Sequence, residues 1–276
     1  MRGILLAAFA ALLLVDPVKS AGPANTLTPE EKSAGWKLLF DGRTLNGWED
    51  PARESPPGDA WVVEDACIRA VPKARVREDL LTKAEFGDFE LAFEWKISPR
   101  GNSGVKYRIQ DRLILDAALA EGKRFEDRVE AEMRKRTLWR DKLAPGIRIE
   151  EYLVGFEYQV IDDAGHPDAA RGLDRAAGSL YSLLAPTKRA AKPAGQFNEA
   201  RIVVRGDQVE HWLNGEKVLT GRLDAPEIPE KLANRWGKGS KVYELLTTRP
   251  KKRTPVALQH HVDEAWFRSI KIRELK

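Results

Sequence analysis

Side chains that build covalent staples and metal clusters are scarce in this chain: its 276 residues hold one cysteine, Cys67, and four histidines. A lone thiol closes no intramolecular disulfide, so the fold must rest on its core. His166, His211, His260 and His261 match no zinc spacing, and adjacent residues of a strand point to opposite faces, which makes His260-His261 a poor chelating pair. No glycine-rich nucleotide loop, dinucleotide fingerprint or paired Cys-x-x-Cys occurs. Ser103 lies between Asn102 and Gly104, outside the G-x-S-x-G elbow of a serine hydrolase. Charge of one sign is also lacking, because 46 basic residues face 42 acidic ones and are interleaved with them, the pattern of a solvated surface. The densest basic run, Lys251-Lys252-Arg253, lies between prolines and carries none of the aromatics of a single-strand groove, so no nucleic-acid partner is expected.

The one long apolar run, Ile4 to Val15, follows Met1-Arg2 and leads to Val18-Lys19-Ser20-Ala21. That is the pattern of a secretory signal peptide over residues 1–20. It is shorter than the roughly 20 residues of a spanning helix, and no membrane span is expected. The reading is a periplasmic or extracellular protein with a spacer at 21–34 and one domain over 35–276. Hydrophobic residues at 42% suffice for its core, and an all-β sandwich can use this whole length.

Short apolar runs separated by turn residues predict an antiparallel sandwich of about ten strands. Phe89, Leu91, Phe93 and Trp95 alternate with Glu90, Ala92, Glu94 and Lys96, which places one set on a core face and the other on a polar face. Phe156-Tyr158-Val160 repeats the pattern. Further strands are expected at Ser179–Leu184, Ile202–Val204, Gln208–Leu213, Pro255–Gln259 and Trp266–Ile272. Between Asp111 and Asp141, Phe125, Val129 and Met133 recur at helical spacing, with Glu130/Arg134 and Glu132/Arg136 placed to pair, which predicts a helical insertion. The bland reading is a helix packed on the sandwich rim; a lid is the sharper one. Ala225 to Thr254 forms a second excursion at the mouth of a site.

Polar residues recur two apart on the strands: Glu94 with Lys96, Lys106 with Arg108, Glu157 with Gln159, Gln259 with His261. Side by side, such pairs would line a sugar cleft; a solvated sheet face meets the same periodicity. Trp36, Trp48, Trp61, Trp95, Trp212 and Trp266 could stack on sugar rings or fill the core.

A set of short motifs in order carries a resemblance over residues 35–275: Gly35-Trp36-Lys37-Leu38-Leu39-Phe40-Asp41-Gly42 with Leu45-Asn46-Gly47-Trp48, Asn102-Ser103-Gly104-Val105 with Arg108, and Phe156-Glu157-Tyr158-Gln159-Val160-Ile161-Asp162-Asp163. Gly178 to Tyr181, Glu210 to Gly215 and Leu258-Gln259-His260-His261 follow. On these the chain resembles the 3-keto-disaccharide hydrolase domain family of secreted bacterial proteins, formerly a domain of unknown function, with a concanavalin A-like jelly-roll of two antiparallel sheets. It departs from the family at the insertion and at Phe197, Val262 and Ser269, where tryptophan, glycine and asparagine are usual.

The resemblance implies cleavage of a glycoside oxidised to a ketone at C3. The ketone acidifies the C2 proton, so a base can remove it, the C1 substituent departs by elimination, and water then adds. Glu157 or His261 would be the base and the other an acid or a ligand to an optional divalent cation. Lys106 and Arg108 would stabilise the enolate, and Gln159, Asp162, Tyr181, His211 and Gln259 would orient hydroxyls, with Glu94 beside them on substrate. Three alternatives stand: a non-catalytic carbohydrate-binding module of the same fold; a glycosidase pairing Glu94 with Glu157 across the sugar, which needs them about 5 to 10 Å apart; and a purely structural envelope or interaction protein, favoured if the helix between Asp111 and Asp141 covers the polar face.

Overall fold

The computed structural model describes residues 23–49, 59–74, 76–116, 122–135 and 149–276. The expected signal peptide, and residues 117–121 and 136–141 of the expected insertion, lie outside them. Along these residues run strands β1 (Lys37–Leu38), β2 (Trp48–Glu49), β3 (Trp61–Glu64), β4 (Cys67–Ala70), β5 (Val76–Arg77), β6 (Leu80–Thr82), β7 (Phe89–Ile97), β8 (Asn102–Asp116), β9 (Ile149–Ile161), β10 (Asn198–Arg205), β11 (Gln208–Leu213), β12 (Glu216–Arg222), β13 (Ala257–Leu258) and β14 (Ala265–Glu274). The helices are α1 (Pro29–Ser33), α2 (Phe125–Lys135), α3 (Glu227–Trp236) and α4 (Lys241–Thr247).

The strands form two sheets: an eight-stranded one ordered β12-β11-β10-β7-β14-β4-β3 with β1 beside β14, and a six-stranded one ordered β2-β6-β13-β8-β9-β5. The expected two-sheet, mostly β sandwich is what the chain forms. All pairings are antiparallel except β5 with β9, which run parallel through Val76 and Ile149. The alternation in β7 and β9 explains the core: Phe89, Leu91, Phe93 and Trp95 meet Phe156, Tyr158 and Val160 between the sheets, and the Phe93 ring sits edge-on to Tyr158 at 5.6 Å. Burying four such aromatic and aliphatic side chains contributes roughly 1.5–3 kcal/mol each.

Three elements differ from the periodicity. The insertion starts later than Asp111, because Asp111–Asp116 continue β8 and pair with Ile149–Val154 beyond a bulge at Tyr107/Asp111. Ser179–Leu184 is no full strand. Its backbone bonds β9 only as far as Tyr181, and Ser182, at φ 59°, turns the chain away. Residues 23–34 are docked rather than a free spacer, since Asn25 Oδ1 accepts from Ser269 N at 2.8 Å and Glu31 pairs with Lys271.

Candidate active site

Register on the smaller sheet decides what meets on its outer face. β8 and β9 place Lys106 opposite Glu157 and Gly104 opposite Gln159, while β13 sets Ala257 against Lys106 and leads directly to Gln259. Glu157, Gln159, Lys106, Gln259 and His261 therefore line one cleft of about 700 Å³. Glycine at 104 is required here: a Cβ would lie 2.4 Å from Glu157 Oε1. The Glu157 carboxylate thus fills the space of an absent side chain. Gln259 Nε2 donates to its Oε2 at 3.2 Å, and the Gln159 amide, oriented with its NH2 toward the carboxylate, donates to its Oε1 at 2.9 Å.

Charge in the floor is balanced through Asp79, which precedes β6. Its Oδ2 accepts from Lys106 Nζ at 2.9 Å, its Oδ1 from the His260 backbone N–H at 2.9 Å, and its own N–H donates to Glu151 Oε2 at 2.9 Å. Burial works against the Lys106 ammonium, but Asp79 and Glu157 outweigh it and hold the pKa above the usual lysine range. Desolvation pushes Glu157 up to about 7, Asp79 adding to the shift and Lys106 opposing it. His261 is exposed, yet desolvation by the surrounding cleft holds its pKa below the usual value, against Asp263. His260 turns the other way, its Nε2 on Val71 O at 2.8 Å and its ring edge-on to Trp61.

The walls come from segments outside the sheets. Tyr181 is held beside Glu157 by its N–H on Glu157 O at 3.0 Å, and its hydroxyl donates to Asp168 Oδ2 at 2.8 Å. The excursion expected at the mouth supplies α3, which contributes Lys231, Arg235 and Trp236. The start of α2 adds Arg124, Phe125 and Glu126, while Val129 and Met133 of the same helix are buried. Phe125, Tyr152 and Trp236 form one aromatic cluster with ring centroids 5.1 to 6.3 Å apart.

Of the residues singled out in the sequence, Glu157, His261, Lys106, Gln159, Tyr181 and Gln259 are brought together, and four are not. Glu94 lies on β7 of the other sheet, pointing away from its inward neighbours Phe93 and Trp95, and is ion-paired to Arg268 at 2.8 Å. Sheets pack about 10 Å apart, so Glu94 and Glu157 on opposite outer faces do not flank one sugar, which removes the two-carboxylate arrangement. Arg108 takes φ 51° at the β8 bulge, which swings it off the Lys106 face to Asp88 and Gly206 O. His211 is fully buried between Tyr107 Oη and Gly178 O, both at 2.9 Å, and burial pushes its pKa down to about 4. Asp162 orders a turn, accepting from the N–H groups of Arg100 and Ala164.

Sequence reasoning missed Asp79, Tyr152, Arg175, Arg235 and Trp236, which reach the cleft from loops, helices and a strand end whose periodicity carries no mark of it. Trp212 and Trp266 lie on the outer face of the larger sheet under Arg201 and Lys96, while Trp48, Trp61 and Trp95 are core. Among the described residues no three of His, Cys, Asp and Glu gather as a metal site, and no helix is long and apolar enough to cross a membrane.

Residues 35–273 match the sequence family described as the 3-keto-alpha-glucoside-1,2-lyase-like domain. A 3-keto-disaccharide hydrolase of Bacteroides thetaiotaomicron is 31% identical over 254 residues, covering 87% of this chain and 79% of the relative. Among solved structures, a Parabacteroides distasonis protein provisionally described as a glycosyl hydrolase superposes with a TM-score of 0.64 at 24% identity, over 92% of this chain and all of that one. A second protein of that organism, described in the same terms, gives 0.55 at 22% identity over 87% and 99% of the two chains. At these identities the two structures show a shared fold.

Proposed function

This chain belongs to the 3-keto-alpha-glucoside-1,2-lyase-like family, and from that premise we propose that it is a carbohydrate-cleaving enzyme that splits the glycosidic bond of a 3-keto-glycoside by elimination across C1 and C2 followed by hydration. The observation that carries this reading is the Glu157 carboxylate: seated over Gly104, fixed by two side-chain amides, and poised near neutrality with no second carboxylate facing it from Glu94. A base whose pKa lies near the working pH combines proton affinity with availability.

Glu157 takes the C2 proton, and the C–H electrons flow into the C3 carbonyl to form an enolate. Lys106 on the floor supplies the positive charge that the developing oxyanion needs. Arg108 takes no part, because its guanidinium is spent on Asp88 and Gly206 O. Collapse of the enolate expels the C1 oxygen, which receives the proton that Glu157 took from C2, and water adds to C1 of the enone to complete net hydrolysis. The second proton acceptor in the cleft, His261, whose pKa desolvation holds below the usual value, takes a proton from that water as it adds to C1 and returns one to C2. Gln259 Oε1, buried with no protein donor among the described residues, is placed to accept a sugar hydroxyl.

The test is turnover of a 3-keto-disaccharide and of its unoxidised parent in deuterated water, with the product read by mass and NMR. Elimination and hydration place solvent deuterium at C2 above the product's spontaneous exchange; direct hydrolysis leaves C2 protium. Turnover of the keto sugar alone with C2 label, lost at least about 10²-fold in Glu157→Gln, supports the reading. Equal cleavage of the parent sugar, or product without label, refutes it, and binding of both sugars without turnover would assign the chain to the carbohydrate-binding modules.

A further inference from the structure

Around Tyr181, beside Glu157, the cleft wall carries cations that the elimination does not use. Arg124, Arg171, Arg175, Lys231 and Arg235 line it; beyond Glu157 and the floor's Asp79 and Glu151, the carboxylates of the cleft are Glu126, Glu150 and Asp174, with Asp168 paired to Arg175. Two of these cations are built around Tyr181, with the Arg175 and Arg235 guanidiniums each 5.2 Å from its ring centroid. Every side-chain hydrogen bond of Arg175 to the described residues runs through Nη1, to Tyr181 Oη at 2.8 Å and to Asp168 at 3.3 and 3.4 Å, so Nη2 and Nε have no hydrogen-bond partner among them. Among the described residues Arg235 uses two of its five N–H donors, on Ser182 Oγ at 3.0 Å and Glu126 Oε1 at 3.4 Å. Both side chains are mostly buried, so their positions are held by protein rather than by chance at the surface. Next to them, Phe125, Tyr152 and Trp236 offer ring faces.

We propose that this wall is the subsite for the leaving group, and that it selects 3-keto-glycosides whose aglycone carries an oxyanion, a carboxylate or a sulfate, held in the fork of Arg175 and Arg235 with the rest of the aglycone against the aromatic cluster. The proposal rests on the elimination reading above, because it assigns the aglycone side of the same cleft. Guanidinium forks engage two oxygens of a carboxylate or a tetrahedral oxyanion in parallel hydrogen bonds, and a partly desolvated charge pair discriminates strongly against a neutral isostere.

The experiment compares three 3-keto-glucosides of 4-substituted phenols: one ending in a propanoate, its methyl ester, and the matching alkyl sulfate. The two-carbon spacer insulates the phenol oxygen, so leaving-group chemistry is alike in all three. At low salt, kcat/KM for the acid or the sulfate should exceed that for the ester by at least about tenfold, the better of the two naming the oxyanion. The advantage should shrink with added sodium chloride and fall toward one in the Arg175→Gln/Arg235→Gln variant. A ratio near one in the wild type, or a ratio unchanged in the double variant, overturns the subsite while leaving the elimination intact. Absence of turnover for all three overturns the elimination, and the subsite with it.

Discussion

Gly104→Ala perturbs the active centre without touching a titratable group. The added Cβ would sit 2.4 Å from Glu157 Oε1 and 2.8 Å from its Cγ and Cδ, so the carboxylate must retreat by about 1 Å to regain ordinary contact at 3.4 Å. That retreat breaks the bonds from Gln259 and Gln159, which are the groups that aim it. A misplacement of about 1 Å costs on the order of 10²-fold in rate, or about 2.7 kcal/mol of activation free energy. Folding is affected far less, because the clash is with the end of a flexible side chain and Gly104 does not occupy the left-handed region. Alanine also lowers the entropy of the unfolded chain, so the stability change should stay within about 1 kcal/mol. The assay is kcat and KM on the 3-keto-disaccharide beside a denaturant titration. The expected signature is a kcat loss at near-normal stability, with no further loss when the change is added to Glu157→Gln, since the two act through one group. A Gly104→Ala enzyme with wild-type kcat, or additive losses in the double variant, refutes the placement of Glu157 as the base.

The remaining predictions concern charge and backbone. Activity should rise with pH through about 7 as Glu157 ionises, and Lys106→Met should move that limb upward because it removes the cation that opposes the shift, as read from a pH profile of kcat/KM. Asp79→Asn leaves a buried ammonium without its anion and should destabilise by about 3 kcal/mol in urea unfolding, largely recovered in Asp79→Asn/Lys106→Met. Folded His211 refuses the proton that the unfolded chain binds below its ordinary pKa of 6.5. Its stabilising contribution is therefore present above pH 6.5 and lost as pH falls toward about 4, by about 3 kcal/mol, seen as the stability difference from His211→Gln across that window. Val262, beside His261, holds φ 62°, a conformation costly for a β-branched residue; Val262→Gly should raise stability by roughly 1 kcal/mol in thermal unfolding.

Much of this protein was determined by sequence alone. Alternation in a strand dictates which side chains share a face, so β7, β9 and the floor set of Glu157, Gln159, Lys106, Gln259 and His261 were legible, as was the buried stripe of α2. Motif order along the chain was enough to point to the family. Periodicity says which residues share a face of one strand, but not which of two sheets that strand joins, and so Glu94 and Glu157 looked like partners. A bulge resets the alternation without a mark in residue type, which sent Arg108 away from the cleft and left Asp111–Asp116 reading as insertion. Asp79, Arg175 and Arg235 come from a turn and two helical segments far apart in the chain, and what they do depends on the distances at which the tertiary fold sets them. Proximity, burial and desolvation are properties of the packed molecule, and they alone raise Glu157 to about 7 and bury His211 in the core rather than beside a sugar.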